Sequence, residues 1–271
     1  MSSNSPSRGE STVGRLLVDE PASGVARLTI SNPAKRGALD HAILDAIATT
    51  LSGLDARCVI VTGEGSIFSA GYDIGHLPTD VLADEAERLV AHPFAAAIDA
   101  LEGYPYPTLA SINGPAIGGG LELALACDLR IASSTIAFVM PPARLGLVYS
   151  HTGLRKFIEI IGAARTRELF LLGGRIDAAT AREWGLVNDL TDPAELTESA
   201  LALAAQLAAG APLAQRGNKR VISAVLEAQG QLEPDVEREL IELRRACFQS
   251  EDFREGVRAF AEKRKPNWQG R

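Results

Sequence analysis

Two short runs hold the residues whose types and spacing could do chemistry. In Asn113-Gly-Pro-Ala-Ile-Gly-Gly-Gly-Leu-Glu122, consecutive glycines stand directly before Leu121-Glu-Leu-Ala-Leu-Ala-Cys127, a stretch of helical composition. A glycine costs about 1 kcal/mol against alanine inside a helix. What it offers in return is bare backbone. First-turn amides have no partner within their helix, and with the helix dipole they make a place for negative charge. The run is not a dinucleotide GxGxxG, and no Walker lysine follows it. Glu122 comes three residues after Gly119, on nearly the same helix face. It could aim a carboxylate at whatever the Gly119 N–H binds, or it could merely complement the helix dipole.

The second run is Ile67-Phe-Ser-Ala-Gly-Tyr-Asp-Ile74. Here Gly71, among the small residues Ser69 and Ala70, lets a ligand approach the main chain; a plain flexible loop is the alternative. Two other residues invite attention. Tyr149 reads either as a functional hydroxyl or as a core tyrosine with its hydroxyl satisfied. His151 reads as a surface or supporting histidine more readily than a catalytic one. His76 reads as exposed, and Trp184 and Phe248 as core.

These runs need a scaffold. Val25-Ala-Arg-Leu-Thr-Ile30 alternates as a half-buried strand does. Asp40 can cap a helix from His41 to about Leu54, with Ile43, Leu44 and Ile47 at period 3.6. Cys58-Val-Ile-Val-Thr62 predicts a strand buried on both faces, and Thr108-Leu-Ala-Ser-Ile112 another. Strands alternating with helices argue for an α/β domain with a largely parallel core. After Gly153 the character turns helical; Pro212 suits a helix first turn, and Ser250 caps a last helix ending before Pro266. The expected organisation is a tail over 1–14, an α/β body over 15–195 and a C-terminal helical region over 196–271.

Composition narrows the function classes. The 271 residues carry a net charge of −7, which gives no global attraction to nucleic acid. Three scattered cysteines without CxxC spacing suit a reducing interior, and none has histidine at metal-ligand spacing. The start has no apolar core of a signal peptide, and no apolar run approaches membrane-spanning length. The expectation is a cytoplasmic protein with no metal site.

Taken together, Asn32-Pro-Ala-Lys-Arg-Gly-Ala-Leu39, Phe68-Ser-Ala-Gly-Tyr-Asp-Ile74, Asn113 to Asp128 and Ser250 to Pro266 resemble the crotonase (enoyl-CoA hydratase/isomerase) superfamily over nearly the whole chain. The resemblance implies a crotonase-like spiral of ββα units with a helical C-terminal extension, assembled as a homotrimer or homohexamer. It implies an acyl-CoA thioester substrate whose enolate is held by the N–H groups of Tyr72 and Gly119. It further implies a coenzyme A channel lined by Lys35, Arg36, Ala38, Ala70, Gly71, Asp73, Ile74, Gly75, Gly118 and Pro142, with Lys263 reaching the CoA phosphates. No cofactor is implied beyond the coenzyme A of the substrate, and neither a nucleic acid nor a membrane partner.

Hydratases of that superfamily use two glutamates. One aligns with Glu122; the other would fall at Pro142, which has no titratable group, and syn addition of water needs proton traffic at two carbons. A narrower resemblance, carried by Ser69 to Pro78, Leu145-Gly-Leu-Val-Tyr149 and Leu243 to Asp252, is to methylmalonyl-CoA decarboxylase. There a tyrosine at the position of Tyr149 faces the substrate carboxylate, and a histidine stands where this chain has Tyr72. Three readings follow: a lyase decarboxylating a malonyl-type thioester through Tyr149 and the oxyanion hole, a hydratase or isomerase working through Glu122 alone, and a non-catalytic acyl-CoA binder.

Overall fold

The structure, a computed structural model, describes residues 13–72, 88 and 90–271. Strand β1 (Arg15–Ala22) pairs antiparallel with β2 (Val25–Ser31) across the turn at Gly24. Helix α1 (His41–Gly53) then leads to β3 (Cys58–Gly63), which lies parallel to β2. Asp40 caps α1 as expected, its Oδ1 accepting from the Ile43 N–H at 3.0 Å. After α2 (Ala95–Gly103) the chain runs through β4 (Thr108–Ile112), β5 (Ala116–Ile117), the short helix α3 (Gly119–Leu125), β6 (Leu129–Ser133) and β7 (Ala137–Val139). Next come α4 (Pro142–Leu145), α5 (His151–Leu172), β8 (Arg175–Asp177), α6 (Ala178–Glu183) and β9 (Asp189–Thr191). The remainder is helical: α7 (Leu196–Ala208), α8 (Pro212–Gln229), α9 (Pro234–Gln249) and α10 (Glu251–Ala261).

The strands form two layers. The larger sheet has the order β1-β2-β3-β4-β6-β9, parallel from β2 onward, and the smaller one β5-β7-β8. Two single bridges extend the smaller layer: Ser69 pairs with Ala116, and Leu39 with Tyr72. The short segments that follow β2, β3 and β4 therefore lie side by side in the same order as the strands they leave. This repetition is the spiral, and it sets the three rungs 36–39, 69–72 and 116–119 against one another.

Alternation along β3 explains why its run of β-branched residues is apolar throughout. Val59 and Val61 pack with α1 and α2 in one core, which includes Leu28, Ile43, Ile47 and Leu101. Cys58 and Ile60 point to the opposite face, where Leu196, Ala200 and Ala204 of α7 cover the sheet. Each such side chain removed from water stabilises the fold by roughly 1.5–3 kcal/mol. Both faces of the larger sheet thus need a helix, and α7 supplies the second cover.

Candidate active site

The site stands on the second and third rungs. Gly71 has φ +84°, a region that side chains rarely adopt. Gly118 has φ 53° and ψ −121°, likewise open to glycine alone. Each of these turns re-aims the amide that follows it, that of Tyr72 and that of Gly119. The turns pack closely: a methyl group on Gly71 would lie 2.6 Å from the Ile117 carbonyl oxygen and 3.3 Å from the Gly119 nitrogen. Among the described residues, neither the Tyr72 nor the Gly119 N–H has a hydrogen-bond acceptor. Two neighbouring main-chain donors are left for an outside acceptor. Helix α3 has only 7 residues, so the individual amides matter more than its dipole.

Hydrogen bonds fix the rungs. Ala70 N–H donates to the Arg36 carbonyl at 3.1 Å, and Leu39 N–H to that of Gly71 at 2.8 Å. Ser69 is fully buried and works twice: its hydroxyl donates to the Gly37 carbonyl at 2.7 Å and accepts from the Gly71 N–H at 3.1 Å. The segment carrying Lys35, Arg36 and Ala38 is thereby laid against Ala70 and Gly71. Arg36 itself is held at φ 55° at the end of the short turn Pro33–Lys35. The far end of α3 is pinned as well, since Asp128 accepts from the Thr108 N–H at 2.7 Å and from Lys219 at 2.7 Å.

Glu122 is buried, 4% exposed, inside the molecule behind Gly119. The Tyr149 hydroxyl donates to its Oε2 at 2.5 Å. Burial pushes the Glu122 carboxyl up to about 7, against opposing hydrogen bonds from Tyr149 and Tyr72. Both phenols are held well above their ordinary range, first by burial and then by the nearby Glu122 charge. Two phenols and one carboxyl thus share a single polar pocket in an otherwise apolar wall. Tyr149 stacks edge-on to Phe170 at 5.3 Å, and Tyr72 edge-on to Phe94 at 4.8 Å.

Tyr72, Gly119, Glu122 and Tyr149 are therefore brought together. Gly118 adjoins them, and Pro142 is buried at the start of α4, where its ring offers no proton. Asp73, Ile74, Gly75 and His76 lie outside the described residues. Lys263 stands on an exposed turn just past α10 at φ 54°, with its N–H on the Phe260 carbonyl and no contact to the rungs among the described residues. His151 caps no acid of the site; its Nε2 faces Glu237 at 3.4 Å. The Tyr149 hydroxyl, read from the sequence as aimed at a substrate carboxylate, is engaged by Glu122.

Three contributors carried little or no readable signal. A methyl group on Gly153, in the first turn of α5, would lie 2.6 Å from Glu122 Oε1 and 2.8 Å from Tyr149 Cε1. Gly153 makes the room in which that pair sits; a glycine in a helical first turn was its only trace. Phe94 supports the Tyr72 ring from a segment with no motif. Arg244, on α9, adds a positive charge that acts on the Tyr72 phenol after burial, Glu122 and Tyr149. Among the described residues, no group of His, Cys, Asp and Glu is placed to hold a metal ion, and no helix is long and apolar enough to cross a membrane.

Two adjacent amides without an acceptor among the described residues thus stand beside a buried carboxyl, on an α/β spiral of paired layers. The enoyl-CoA hydratase/isomerase family profile matches residues 20–271, and the chain belongs to that family. A "Probable enoyl-CoA hydratase" of Bacillus subtilis is 36% identical over 253 residues, covering 91% of this chain and 95% of the relative. "Methylmalonyl-CoA decarboxylase" of Escherichia coli is 32% identical over 255 residues, covering 91% and 95%. A solved structure described as methylmalonyl-CoA decarboxylase in complex with 2-nitronate-propionyl-CoA superposes with TM-score 0.85 at 29% identity, over 95% of this chain and 99% of that one. The chain is an acyl-CoA-processing enzyme of the crotonase superfamily.

Proposed function

We propose that the protein decarboxylates a short malonyl-type acyl-CoA, holding the resulting thioester enolate between the N–H groups of Tyr72 and Gly119. The observation that carries this reading is the pairing of those two unengaged amides with a site whose second acid position is Pro142. Loss of carbon dioxide needs no base. The C–C bond to the carboxylate breaks, its electron pair enters the thioester, and the charge collects on the carbonyl oxygen. Each fixed donor aimed at that oxygen contributes on the order of 3–4 kcal/mol to the transition state.

Glu122 and Tyr149 act as a coupled pair. While Glu122 is ionised, it accepts a hydrogen bond from the Tyr149 O–H, which keeps its proton. Once Glu122 is protonated, it can donate to the Tyr149 oxygen, and the Tyr149 O–H turns to the substrate carboxylate. This holds the scissile bond perpendicular to the thioester plane, which is catalysis by positioning. After carbon dioxide leaves, the Glu122 proton is available to the enolate Cα. Lys35 and Arg36, at the mouth of the rungs, and Lys263 are the cations we assign to the CoA phosphates. Nothing in these steps calls on a metal or an organic cofactor beyond the coenzyme A of the substrate.

The test is carbon dioxide release from methylmalonyl-CoA. Tyr149→Phe should lower kcat on the order of tenfold or more, as loss of a charge-assisted hydrogen bond worth 1.5–3 kcal/mol does. Release that is absent, or indifferent to the substitution, rejects decarboxylation. A second reading has its own support in the Glu122 carboxyl near 7, the range suited to a general acid–base group. Hydration or double-bond isomerisation of an enoyl-CoA through Glu122 alone would bleach the conjugated thioester absorbance, and Glu122→Ala would abolish that. Binding of acyl-CoA with turnover of neither substrate class would leave a non-catalytic binder.

A further inference from the structure

We infer that the side chain of Tyr72, and not its amide alone, sets the length of acyl group this enzyme accepts, restricting it to short-chain thioesters. The inference rests on the acyl-CoA reading of the site. The Tyr72 ring folds back across the next rung and lies on Gly119: a methyl group there would sit 2.6 Å from Cε1, 2.9 Å from Cζ and 3.0 Å from Cδ1. The ring is braced from its other side by Phe94, buried and edge-on at 4.8 Å. Its phenol lies near enough to Glu122 and Tyr149 for the three groups to influence one another's protonation. A thioester oxygen held by the two amides therefore has its Cα beside this ring. Carbon atoms beyond the first few would have to displace a phenol braced between Gly119 and Phe94.

A packed ring of this kind does not yield cheaply. Moving it would break the edge contact with Phe94 and open the close packing on Gly119. The discrimination is steric, and it is independent of whether the chemistry that follows is decarboxylation or isomerisation.

The experiment measures dissociation constants of propionyl-, butyryl- and octanoyl-CoA by calorimetry for the wild-type protein, Tyr72→Ala and Tyr72→Phe. Alanine keeps the backbone N–H and removes the ring; phenylalanine keeps the ring. The wild-type protein should bind octanoyl-CoA at least about tenfold more weakly than propionyl-CoA. That octanoyl-to-propionyl ratio should fall about tenfold in Tyr72→Ala and persist in Tyr72→Phe. A wild-type protein without preference for the short thioester overturns the inference before any variant is made. So does a ratio that Tyr72→Ala leaves in place. If no CoA thioester of any length binds, the acyl-CoA reading itself fails, a result distinct from binding without length discrimination.

Discussion

At the scale of single residues, Glu122 concentrates the consequences. Its carboxyl is raised from 4.5 to about 7 by burial. A raised carboxyl binds its proton more tightly in the folded than in the unfolded state. The stabilisation it gives is whole below pH 4.5 and is lost as pH rises through 7. At 1.36 kcal/mol per unit, the difference amounts to roughly 3 kcal/mol. Glu122→Gln removes this dependence. Thermal melts at pH 5 and pH 8 should therefore show the variant gaining on the wild-type protein at the higher pH, and parallel curves would contradict the assignment. Tyr149→Phe works in the opposite sense. Without the Tyr149 donor the charged form loses support, so the apparent pKa read from a pH–rate profile should move above 7. The uncompensated carboxyl oxygen should cost about 1–3 kcal/mol in stability at pH 8.

Among elements, the first turn of α5 and the third rung depend on each other. Ser150 caps α5 by accepting from the Gly153 N–H at 3.1 Å, and that cap brings Gly153 against Glu122. Gly153→Ala inserts a methyl group 2.6 Å from the carboxyl. Overpacking of this kind costs about 1–3 kcal/mol. Because α5 is anchored by Phe157 and Ile161 in the core, the carboxyl and the Tyr149 ring should yield before the helix does. The variant should remain folded, with a denaturation midpoint slightly reduced, while kcat falls more than KM changes. An unaltered kcat would mean that Glu122 has no exacting position.

On the scale of the whole molecule, the C-terminus holds the loop that bears Tyr149. Asp252 accepts from the Gln269 and Gly270 amides at 2.6 and 2.8 Å, and Glu255 from the Asn267 amide at 2.9 Å. Glu255 is also paired with Arg264 and Arg258, which hold its carboxyl well below the usual range. This strap sets Trp268 and the Asp252 carbonyl against Gly146, while the Cys247 thiol donates to the Gly146 carbonyl at 3.0 Å. Ending the chain after Lys265 should lower activity through a loosened Tyr149, with only a modest fall in the melting temperature; unchanged turnover would uncouple the strap from the site. Helices α8 and α9 leave Leu213, Val221, Ile222 and Leu243 more than half exposed. Faces of that kind call for cover, and light scattering should find the trimer or hexamer that the family resemblance implies; a monomer would leave those faces unexplained.

What could be read without coordinates was local. Asp40 before a 3.6-period run, the β-branched stretch at Cys58 and the glycines before Leu121 each carry their physical reason within a few neighbours, so α1, β3 and α3 were legible. The family likeness added the spiral, and it pointed to the amides of Tyr72 and Gly119 as the donors proposed above. Partnerships across the chain were not legible. Tyr149 and Glu122 are 27 residues apart, and nothing in either neighbourhood specifies that one donates to the other. Gly153 is required by an atom that arrives from a different rung, and the Tyr72 ring is shaped by Phe94 and Gly119 together. Side-chain direction and packing distance are decided only once separate turns of the spiral are stacked. For that reason the residue types came from the sequence, and their alliances from the tertiary structure.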